Sequence, residues 1–418
     1  MTIIFVTDSS FLDGGISQVA IQSAIECVRQ GHTLYYFAAL GPPDPTLVAA
    51  LGSANVRVLG SAEIKSDPNR LRAATSGIAN FAAARSLAEL LKGFTPTDTV
   101  IHIHGWCKAV SALVFKTAIN SGIPIICTIH EYFLACPNGA FYDYKKDEIC
   151  HRKPLGFSCL TCNCDPRHYG HKLWRYARGF VHTELLGVPG NLPDVITLSP
   201  SNEKLISPHL ASDVTCHRLH YPIFVTREAR ARAEQNTTYL FVGRFSREKG
   251  VLRFAEVIRD LGLDATFVGD GHLRAELEKM VPHARFTGWL PQAGVLEEVR
   301  KARVVVFAST WYEGLGLVPI EAAAAGIPSV VSDCTVVTDF LQDGVSSLFF
   351  KYNSTEDLKR KLELCRSDAT IEGLSRNAYA NYWADPWTVE KHAQGLIAIY
   401  EKISRTQRRP QEVVECVT

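Results

Sequence analysis

Two glutamates eight residues apart, Glu313 and Glu321, stand in the segment WYEGLGLVPIE, which holds no other charge. A carboxylate accepts hydrogen bonds from hydroxyl groups, so Glu313 could bind sugar hydroxyls and Glu321 the paired hydroxyls of a ribose. A favourable charge in the first turn of a helix would also explain Glu321. It would not explain Glu313 or the glycines that follow it, Gly314 and Gly316.

The apolar run Val304–Ala308, just before this segment, predicts a strand, and Glu313 would lie in the loop that follows it. We expect a helix to begin near Gly316, to tolerate Pro319 in its first turn, and to end at Gly326. Free backbone N–H groups at its start would then face a ligand at the edge of the sheet. Those groups belong to Gly314, Leu315, Gly316 and Leu317.

A basic loop, VGRFSREKG at 242–250, follows a second predicted strand and opens a helix. The planar fork of Arg244 and the point charge of Lys249 suit phosphate oxygens. Gly243 and Gly250 permit tight backbone turns there. The alternative is a solvated loop with no ligand.

Two further glycine-containing stretches follow predicted strands. Gly14 and Gly15 precede a helix whose N–H groups could face an anion, although a plain turn explains them equally well. Gly269 and Asp270 lie in FVGDGH, which is not a dinucleotide fingerprint because Arg274 stands where that motif needs glycine. They could line a nucleotide base or form a structural turn.

Short apolar runs alternate with helical patterns along most of the chain, including helical segments at Gly77–Lys92 and Lys108–Asn120. This alternation predicts an α/β fold with two doubly wound parallel-sheet domains, which bind ligands at the carboxyl ends of their strands. The predicted domains are 1–222 and 223–385. A closing helix at Pro386–Arg405 and a tail make up 386–418.

The composition is that of a water-soluble globular protein, with 418 residues, 46% hydrophobic and 21% charged. Lys and Arg number 44 against 43 for Asp and Glu, which argues against a nucleic-acid partner. The start, MTIIFVTDSS, lacks signal-peptide features, and no apolar run reaches about 18 residues. We expect a cytoplasmic protein, with contact to the membrane face as an option.

An irregular insertion at 131–166 is too long for an ordinary loop and holds five of the twelve cysteines. Thiols are reduced in the cytoplasm, and Cys-x-x-Cys is a half-site for tetrahedral zinc. Structural zinc bound by four of the five is therefore expected, with an iron–sulfur cluster or unligated thiols as alternatives. The five are Cys136, Cys150, Cys159, Cys162 and Cys164.

A basic helix is predicted at 167–180, with Lys172, Arg175 and Arg178 on one side. The helix could simply pack on the N-terminal sheet. Its cationic side could instead contact anionic membrane headgroups or a lipid-linked diphosphate. The apolar residues on the other side are Leu173, Trp174, Ala177 and Phe180.

These stretches together resemble the retaining family-4 glycosyltransferases of the GT-B fold, over nearly the whole chain. The strongest match is E-x7-E within EGLGLVPIEAAAAGIPSVVSD. VGRFSREKG, the N-terminal GG and TIHEYF at the end of the fifth strand add to it in the family's order. The resemblance implies two facing Rossmann-like domains with a cleft between them and a last helix that crosses back to the first.

By motif position, the C-terminal domain would bind a nucleotide sugar and the N-terminal domain its acceptor. Arg244 and Lys249 would hold the diphosphate, Glu321 the ribose and Glu313 the donor sugar. Gly15 would approach the phosphate from the opposite domain. The implied catalytic group is His130, Glu313, Arg244 and Lys249.

The implied reaction moves a sugar from a nucleotide-diphosphate sugar to a saccharide or lipid-linked acceptor in polysaccharide or glycolipid biosynthesis, with retained anomeric configuration. No catalytic metal is expected, and no DxD motif occurs. Leu315 stands where relatives often carry phenylalanine, which should change the packing beside the sugar. His104, Lys172 and Arg175 are assigned to the acceptor side. A sugar-nucleotide epimerase, a phosphorylase-like enzyme or a non-catalytic binding module would be alternatives.

Overall fold

Short runs of β-branched and aromatic residues form two parallel sheets in the computed structural model, which describes residues 1–408. Central strands are buried along their length, as continuous apolar sequence predicts. The strands are β1 (Thr2–Ser9), β2 (Thr33–Leu40), β3 (Val56–Val58), β4 (Thr99–Ile103), β5 (Ile125–Thr128), β6 (Tyr142–Asp143), β7 (Glu148–Ile149), β8 (Asp194–Thr197), β9 (Thr215–Arg218), β10 (Thr238–Val242), β11 (Ala265–Val268), β12 (Arg285–Gly288), β13 (Ala302–Phe307), β14 (Ser329–Ser332) and β15 (Ser347–Phe350).

Helices connect successive strands and cover the sheets. They are α1 (Gly15–Arg29), α2 (Pro45–Leu51), α3 (Arg70–Ile78), α4 (Phe81–Leu91), α5 (Leu113–Asn120), α6 (Phe157–Thr161), α7 (Tyr169–Phe180), α8 (Pro200–Ile206), α9 (Val251–Leu261), α10 (Arg274–Met280), α11 (Gln292–Lys301), α12 (Leu317–Ala325), α13 (Thr355–Leu364), α14 (Asp368–Ala384) and α15 (Val389–Arg408).

Both large sheets are doubly wound. The N-terminal order is β3-β2-β1-β4-β5-β8-β9 and the C-terminal order is β12-β11-β10-β13-β14-β15, with every pairing inside them parallel. In each sheet the direction of winding reverses beside the first strand, between β1 and β4 and between β10 and β13. A crevice for ligands opens at that reversal.

The two predicted helical segments are shorter and more broken than the sequence indicated. Gly77–Lys92 divides into α3 and α4, because the Asn80 side chain accepts the Ala83 N–H (3.0 Å) and caps a new helix. Lys108–Asn120 becomes helical only at Leu113, since the backbone before it is held in a loop by a buried carboxylate.

The last helix returns to the first domain. Leu396 and Tyr400 of α15 are buried in a cluster with Ile3 and Phe5 of β1. The Tyr400 hydroxyl also bonds to the imidazole of His102 (2.5 Å). The tail was predicted to begin after Arg405, whereas α15 extends to Arg408. Residues 409–418 lie outside the described part of the chain. No described helix is both long enough and apolar enough to cross a membrane.

Candidate active site

The N-terminal side of the cleft is built on Asp8, which the sequence reasoning missed. Its buried carboxylate accepts the backbone N–H groups of Lys108, Ala109 and Val110 at 2.8–2.9 Å. Burial raises the pKa of Asp8 despite these hydrogen bonds. The residue therefore fixes the loop that follows β4. A polar residue near the end of a strand was the only signal for it in the sequence.

Two stacked histidines lie at this reversal point. His130 Nδ1 bonds to the Tyr221 hydroxyl (2.5 Å), and its Nε2 bonds to His104 Nδ1 (3.2 Å). His104 Nε2 is buried and has no partner among the described residues. Both rings line a cavity of about 40 Å³. The free ring nitrogen thus belongs to His104, whereas both nitrogens of His130 are bonded.

Stability should fall as the pH is lowered from 7 towards 4, because these histidines are buried in their neutral form. Burial lowers the pKa of His130 to about 3, while an unfolded histidine titrates near 6.5. Between those values the unfolded chain binds more protons, so the free energy of unfolding decreases as the pH falls. Melting temperatures across this range should show the loss. His130→Gln should weaken the dependence of the melting temperature on pH. Substitution of the exposed His283 by glutamine should leave that dependence unchanged.

Glu131 follows His130 and lines both this cavity and a second, larger one. Its side chain is exposed to the cavity space but is surrounded by protein, and this burial raises the pKa of the carboxyl group. No hydrogen bond or ion pair to Glu131 is present in residues 1–408. Its position next to the family's histidine was the signal that the sequence reasoning did not use.

On the C-terminal side, Glu313 is held by Lys249. Its Oε1 accepts from Lys249 Nζ (2.6 Å), from the Ser309 hydroxyl (2.5 Å) and from Trp311 Nε1 (3.1 Å). Burial pushes the pKa of Glu313 upward, but the lysine and the two other donors outweigh it, so the pKa lies below its usual value. Oε2 accepts no hydrogen bond within the described chain and is the oxygen available to a ligand.

Arg244 lies at the start of the same loop with a side chain that is 58% exposed. Its nearest carboxylate is Glu248, at 3.9 Å. Lys249 is the last residue before Gly250 and α9. The structure therefore places both cations beyond the carboxyl end of β10, with Arg244 open to solvent and Lys249 engaged with Glu313.

Glu321 lies on α12 and is buried, which raises the pKa of its carboxyl group. Its Oε1 accepts from Gln292 Nε2 (3.4 Å), and Gln292 Oε1 in turn accepts from Gln18 Nε2 on the opposite domain (2.8 Å). Glu321, the residue predicted to bind the ribose, is thus linked through Gln292 to α1 of the opposite domain. Neither glutamine was singled out in the sequence.

Glycines allow the loops of the site to touch. At Gly250 (φ +67°) a Cβ would lie 1.9 Å from the Ala308 carbonyl oxygen, and at Gly269 it would lie 2.0 Å from that of Gly243. At Gly314 a Cβ would lie 2.7 Å from the carbonyl oxygen of His130, in the other domain. Because glycine has no Cβ, the loop that carries Glu313 can lie against the backbone of His130.

The remaining predicted donor-side residues occupy different surroundings. Gly14 and Gly15 begin α1 with nothing within 4 Å of an added Cβ, so their loop is open. Asp270 accepts from its neighbour Gly271 and pairs with Arg274 (3.3 Å). Gly316 (φ +79°) precedes α12, and Leu317 is its first residue.

Leu315 is buried in a small cluster with three residues of the N-terminal domain, Val19, Leu198 and Tyr221. The sequence predicted that this leucine would change the packing beside the donor sugar. Its observed packing is between the domains, where it lies against the tyrosine that bonds to His130.

The prediction that α7 exposes a cationic face is wrong. Lys172 and Arg178 are buried, and Arg175 pairs with the buried Asp165 (3.2 Å). The exposed side instead carries Leu173 and Phe180. The charged side of the helix faces the protein interior, because the insertion and the preceding loops cover that side. They also supply polar partners for its cations.

Each of the five cysteines of the insertion contacts a polar side chain of the protein. Cys159 Sγ accepts from Lys172 Nζ (3.1 Å), Cys162 donates to Asp143, and Cys136 donates to Asn138. No three His, Cys, Asp or Glu side chains within residues 1–408 are grouped for a metal ion. Structural zinc stays a prediction. The other two cysteines, Cys150 and Cys164, contact Arg152 and Asn138 respectively.

Comparison with protein families assigns both halves of the chain. Residues 13–178 match the model described as Glycosyltransferase Family 4, and residues 223–382 match that described as Glycosyl transferases group 1. Both matches are to glycosyltransferase models, and together they span most of the chain. The two matches lie in the two doubly wound domains, include the insertion at 131–166, and leave out residues 179–222 and the last helix.

Curated relatives are similar over part of their length. An uncharacterised glycosyltransferase of Methanocaldococcus jannaschii is 29% identical over 171 residues, which are 40% of this chain and 48% of that protein. A phosphatidyl-myo-inositol mannosyltransferase of Mycobacterium tuberculosis is 32% identical over 119 residues, 26% of this chain and 32% of that one. The matched region spans half or less of these relatives.

Solved structures share the whole fold. Sucrose-phosphate synthase from Thermosynechococcus elongatus superposes with a TM-score of 0.68 at 16% identity, covering 97% of this chain and 99% of that one. An Anabaena protein in complex with UDP-glucose gives 0.65 at 13% identity, covering 96% and 100%. These likenesses confirm the predicted GT-B architecture of two facing Rossmann-like domains.

Proposed function

We propose that this protein transfers a sugar from a nucleotide-diphosphate sugar to a hydroxyl group of a saccharide or lipid-linked acceptor, with retention of anomeric configuration. The observation that carries the proposal is the meeting of the two domains at one point. There the Gly314 backbone lies against His130, beside the Lys249–Glu313 pair. Solved relatives of the same fold contain UDP and UDP-glucose, which supports a nucleotide-sugar donor.

The donor would lie on the C-terminal domain. Arg244 is open and cationic, so its fork could take the diphosphate oxygens together with Lys249. Glu313 would accept sugar hydroxyls through its free Oε2, and Glu321 would accept ribose hydroxyls. The low pKa of Glu313 keeps it ionised and therefore an acceptor at neutral pH.

The chemistry would proceed on one face of the sugar. The bond from the anomeric carbon to the diphosphate breaks, and its electron pair leaves on the diphosphate oxygen. The acceptor hydroxyl oxygen bonds to the same face of that carbon, while its proton passes to the departing diphosphate. Cations at 244 and 249 would stabilise the negative charge as it develops.

The N-terminal cleft would hold the acceptor and the reacting end of the donor sugar. The unpartnered His104 Nε2 could bond to a substrate hydroxyl, with His130 fixing the ring through its own bond to Tyr221. His130 would then act as a positioning residue. Because the pKa of both histidines lies far below 7, the pair would work as a neutral hydrogen-bonding unit.

Labelled sugar nucleotides tested with and without saccharide or prenyl-linked acceptors would decide the function. The proposal expects label to move to an acceptor only when one is present, with the product's anomeric proton showing the donor's configuration. Conversion of the donor alone to another sugar nucleotide would indicate an epimerase. Phosphate-dependent cleavage of a glucan would indicate a phosphorylase. Donor binding without turnover on any acceptor would indicate a binding module.

We also propose that the insertion binds one structural zinc ion. Its support is the clustering of five cysteines and the surroundings of Lys172, a fully buried ammonium that donates to Cys159 Sγ. No carboxylate lies within ion-pair distance of Lys172 in the described part of the chain. Zinc binds cysteine as the thiolate, and a buried cation beside the sulfur would offset part of the negative charge of such a site.

Metal analysis of protein purified without a metal column should find about one zinc per chain. Cys159→Ser should remove the metal and lower the melting temperature, because a structural zinc contributes to folding. Cys216→Ser, in β9 outside the insertion, is the matched control and should keep the metal. Metal-free wild-type protein with all five thiols titratable would refute the proposal.

A further inference from the structure

A cavity of about 280 Å³ adjoins the histidine cavity on the N-terminal domain. It lies between α7, the loop before α3 and the segment after β5, and it shares Lys108, Glu131 and Phe133 with the cavity of His104 and His130. Its volume is below the roughly 300–1,000 Å³ of pockets that enclose a whole ligand. It is therefore sized for one part of a molecule that extends into the cleft.

The lining of this cavity carries an excess of positive charge. Six Lys or Arg side chains face it against two glutamates, Glu63 and Glu131. Two of the cations are neutralised by acids from outside, Lys108 by Asp13 and Arg175 by Asp165. The remaining four cations face only the two glutamates. The six are Lys65, Arg70, Lys108, Arg167, Arg175 and Arg178.

Arg178 is the decisive member of this set. Its side chain is buried, being 5% exposed, and no carboxylate lies within ion-pair distance of it in residues 1–408. One guanidinium nitrogen donates to the Cys107 carbonyl oxygen (3.3 Å), and the group lies over the rings of Phe133 (4.9 Å) and Trp174 (5.1 Å). Most of its five N–H donors are left for another partner.

A buried guanidinium without an anion is energetically unfavourable, since arginine does not lose its charge in proteins. Burial lowers the pKa of Arg178, and the more distant carboxyl groups of Asp8 and Glu131 offset this only in part. Lys172, the other buried cation of α7, has a sulfur partner at 3.1 Å, whereas Arg178 bonds to one carbonyl oxygen. A bound anion would supply the negative charge that Arg178 lacks within the protein.

We propose that this cavity binds a phosphate or diphosphate group carried by the sugar acceptor. Guanidinium forks and lysines suit phosphate oxygens, and the Phe133 and Trp174 rings would flank the group's organic substituent. The cavity's shared wall with the histidine cavity places such an acceptor's hydroxyl groups beside His104. The acceptor role rests on the proposed glycosyltransferase function, whereas the anion site itself does not.

Calorimetry with inorganic diphosphate tests the site without turnover. Lys249→Ala serves as the background, because the proposed donor site could also bind diphosphate. In that background, Arg178→Gln should weaken the remaining binding by about tenfold or more. Arg178→Lys, which keeps the charge but loses the fork, should recover part of it. Arg376→Gln, exposed on α14 of the other domain, should change nothing.

Circular dichroism would establish that each variant is folded. If Arg178→Gln does not fold, the exposed Lys65→Gln replaces it, with an expected loss of about threefold. Unchanged diphosphate affinity in a folded variant, or no binding at all in the Lys249→Ala background, would overturn the inference. The labelled-sugar assay would be unaffected by that outcome, so failure of the site and failure of the function can be told apart.

Competition distinguishes the sources of the phosphate. A sugar 1-phosphate and phosphatidylcholine vesicles carrying a prenyl diphosphate are each tested against inorganic diphosphate. Displacement by the sugar phosphate supports a free phosphorylated acceptor, and displacement by the vesicles supports a lipid-linked one. If neither displaces diphosphate, the cavity does not recognise acceptor phosphate and the proposal is wrong.

Discussion

Lys249→Ala should lower glycosyl transfer by about 10- to 150-fold, which corresponds to roughly 1.5–3 kcal/mol for lost hydrogen bonds to charged groups. Two effects add in the same direction. The diphosphate loses a cation, and Glu313 loses the 2.6 Å ion pair that keeps its carboxylate ionised although buried. Without the lysine, burial should raise the pKa of Glu313, and the protonated form would bind sugar hydroxyls differently.

Steady-state kinetics and calorimetry would measure both effects. Affinity for a nucleoside diphosphate should fall far more than affinity for the free nucleoside. Lys92→Ala is the matched control, because Lys92 pairs with Glu89 at 2.8 Å on the exposed surface of α4 and such pairs contribute little. Wild-type turnover in Lys249→Ala would show that the lysine has no role in the active site.

Gly314→Ala should reduce turnover by about 5- to 150-fold while leaving each domain folded. The added Cβ would lie 2.7 Å from the His130 carbonyl oxygen, a backbone atom of the opposite domain. Overpacking of this kind costs about 1–3 kcal/mol, and here the contact lies between the domains, so we expect them to relieve it by moving apart. Moving apart would separate Glu313 from the histidine pair.

Gly373→Ala provides the comparison, since this helical glycine on α14 has nothing within 4 Å of an added Cβ. It should raise stability slightly, by up to about 1 kcal/mol, and leave activity unchanged. Small-angle scattering would detect opening in the Gly314 variant. Full turnover with unchanged scattering would show that the close approach is not needed.

The sequence predicted the fold well because parallel-sheet strands are continuous apolar runs with glycines at their ends. It did not find β9 (Thr215–Arg218), an edge strand in which His217 is the one buried residue and both ends are exposed. It also merged α3 and α4, since the cap at Asn80 interrupts an otherwise helical pattern. Both errors concern local signals weaker than the periodicity around them.

The candidate site was predicted less completely. Motif order placed Glu313 and Lys249 at strand ends, but a sequence cannot show that their side chains meet across 64 positions. For α7, periodicity correctly grouped Lys172 with Arg178, yet it could not tell which side of the helix would be covered. The cover comes from the insertion and the 63–70 loop, whose positions depend on tertiary packing.

A crystal structure of the protein with a nucleoside diphosphate such as UDP tests the central claim most directly. The account predicts the nucleotide in the cleft between the domains, with its diphosphate within hydrogen-bonding distance of Arg244 and Lys249 and its ribose hydroxyls on Glu321. A nucleotide bound elsewhere, or one in the cleft that contacts none of these three side chains, would contradict it.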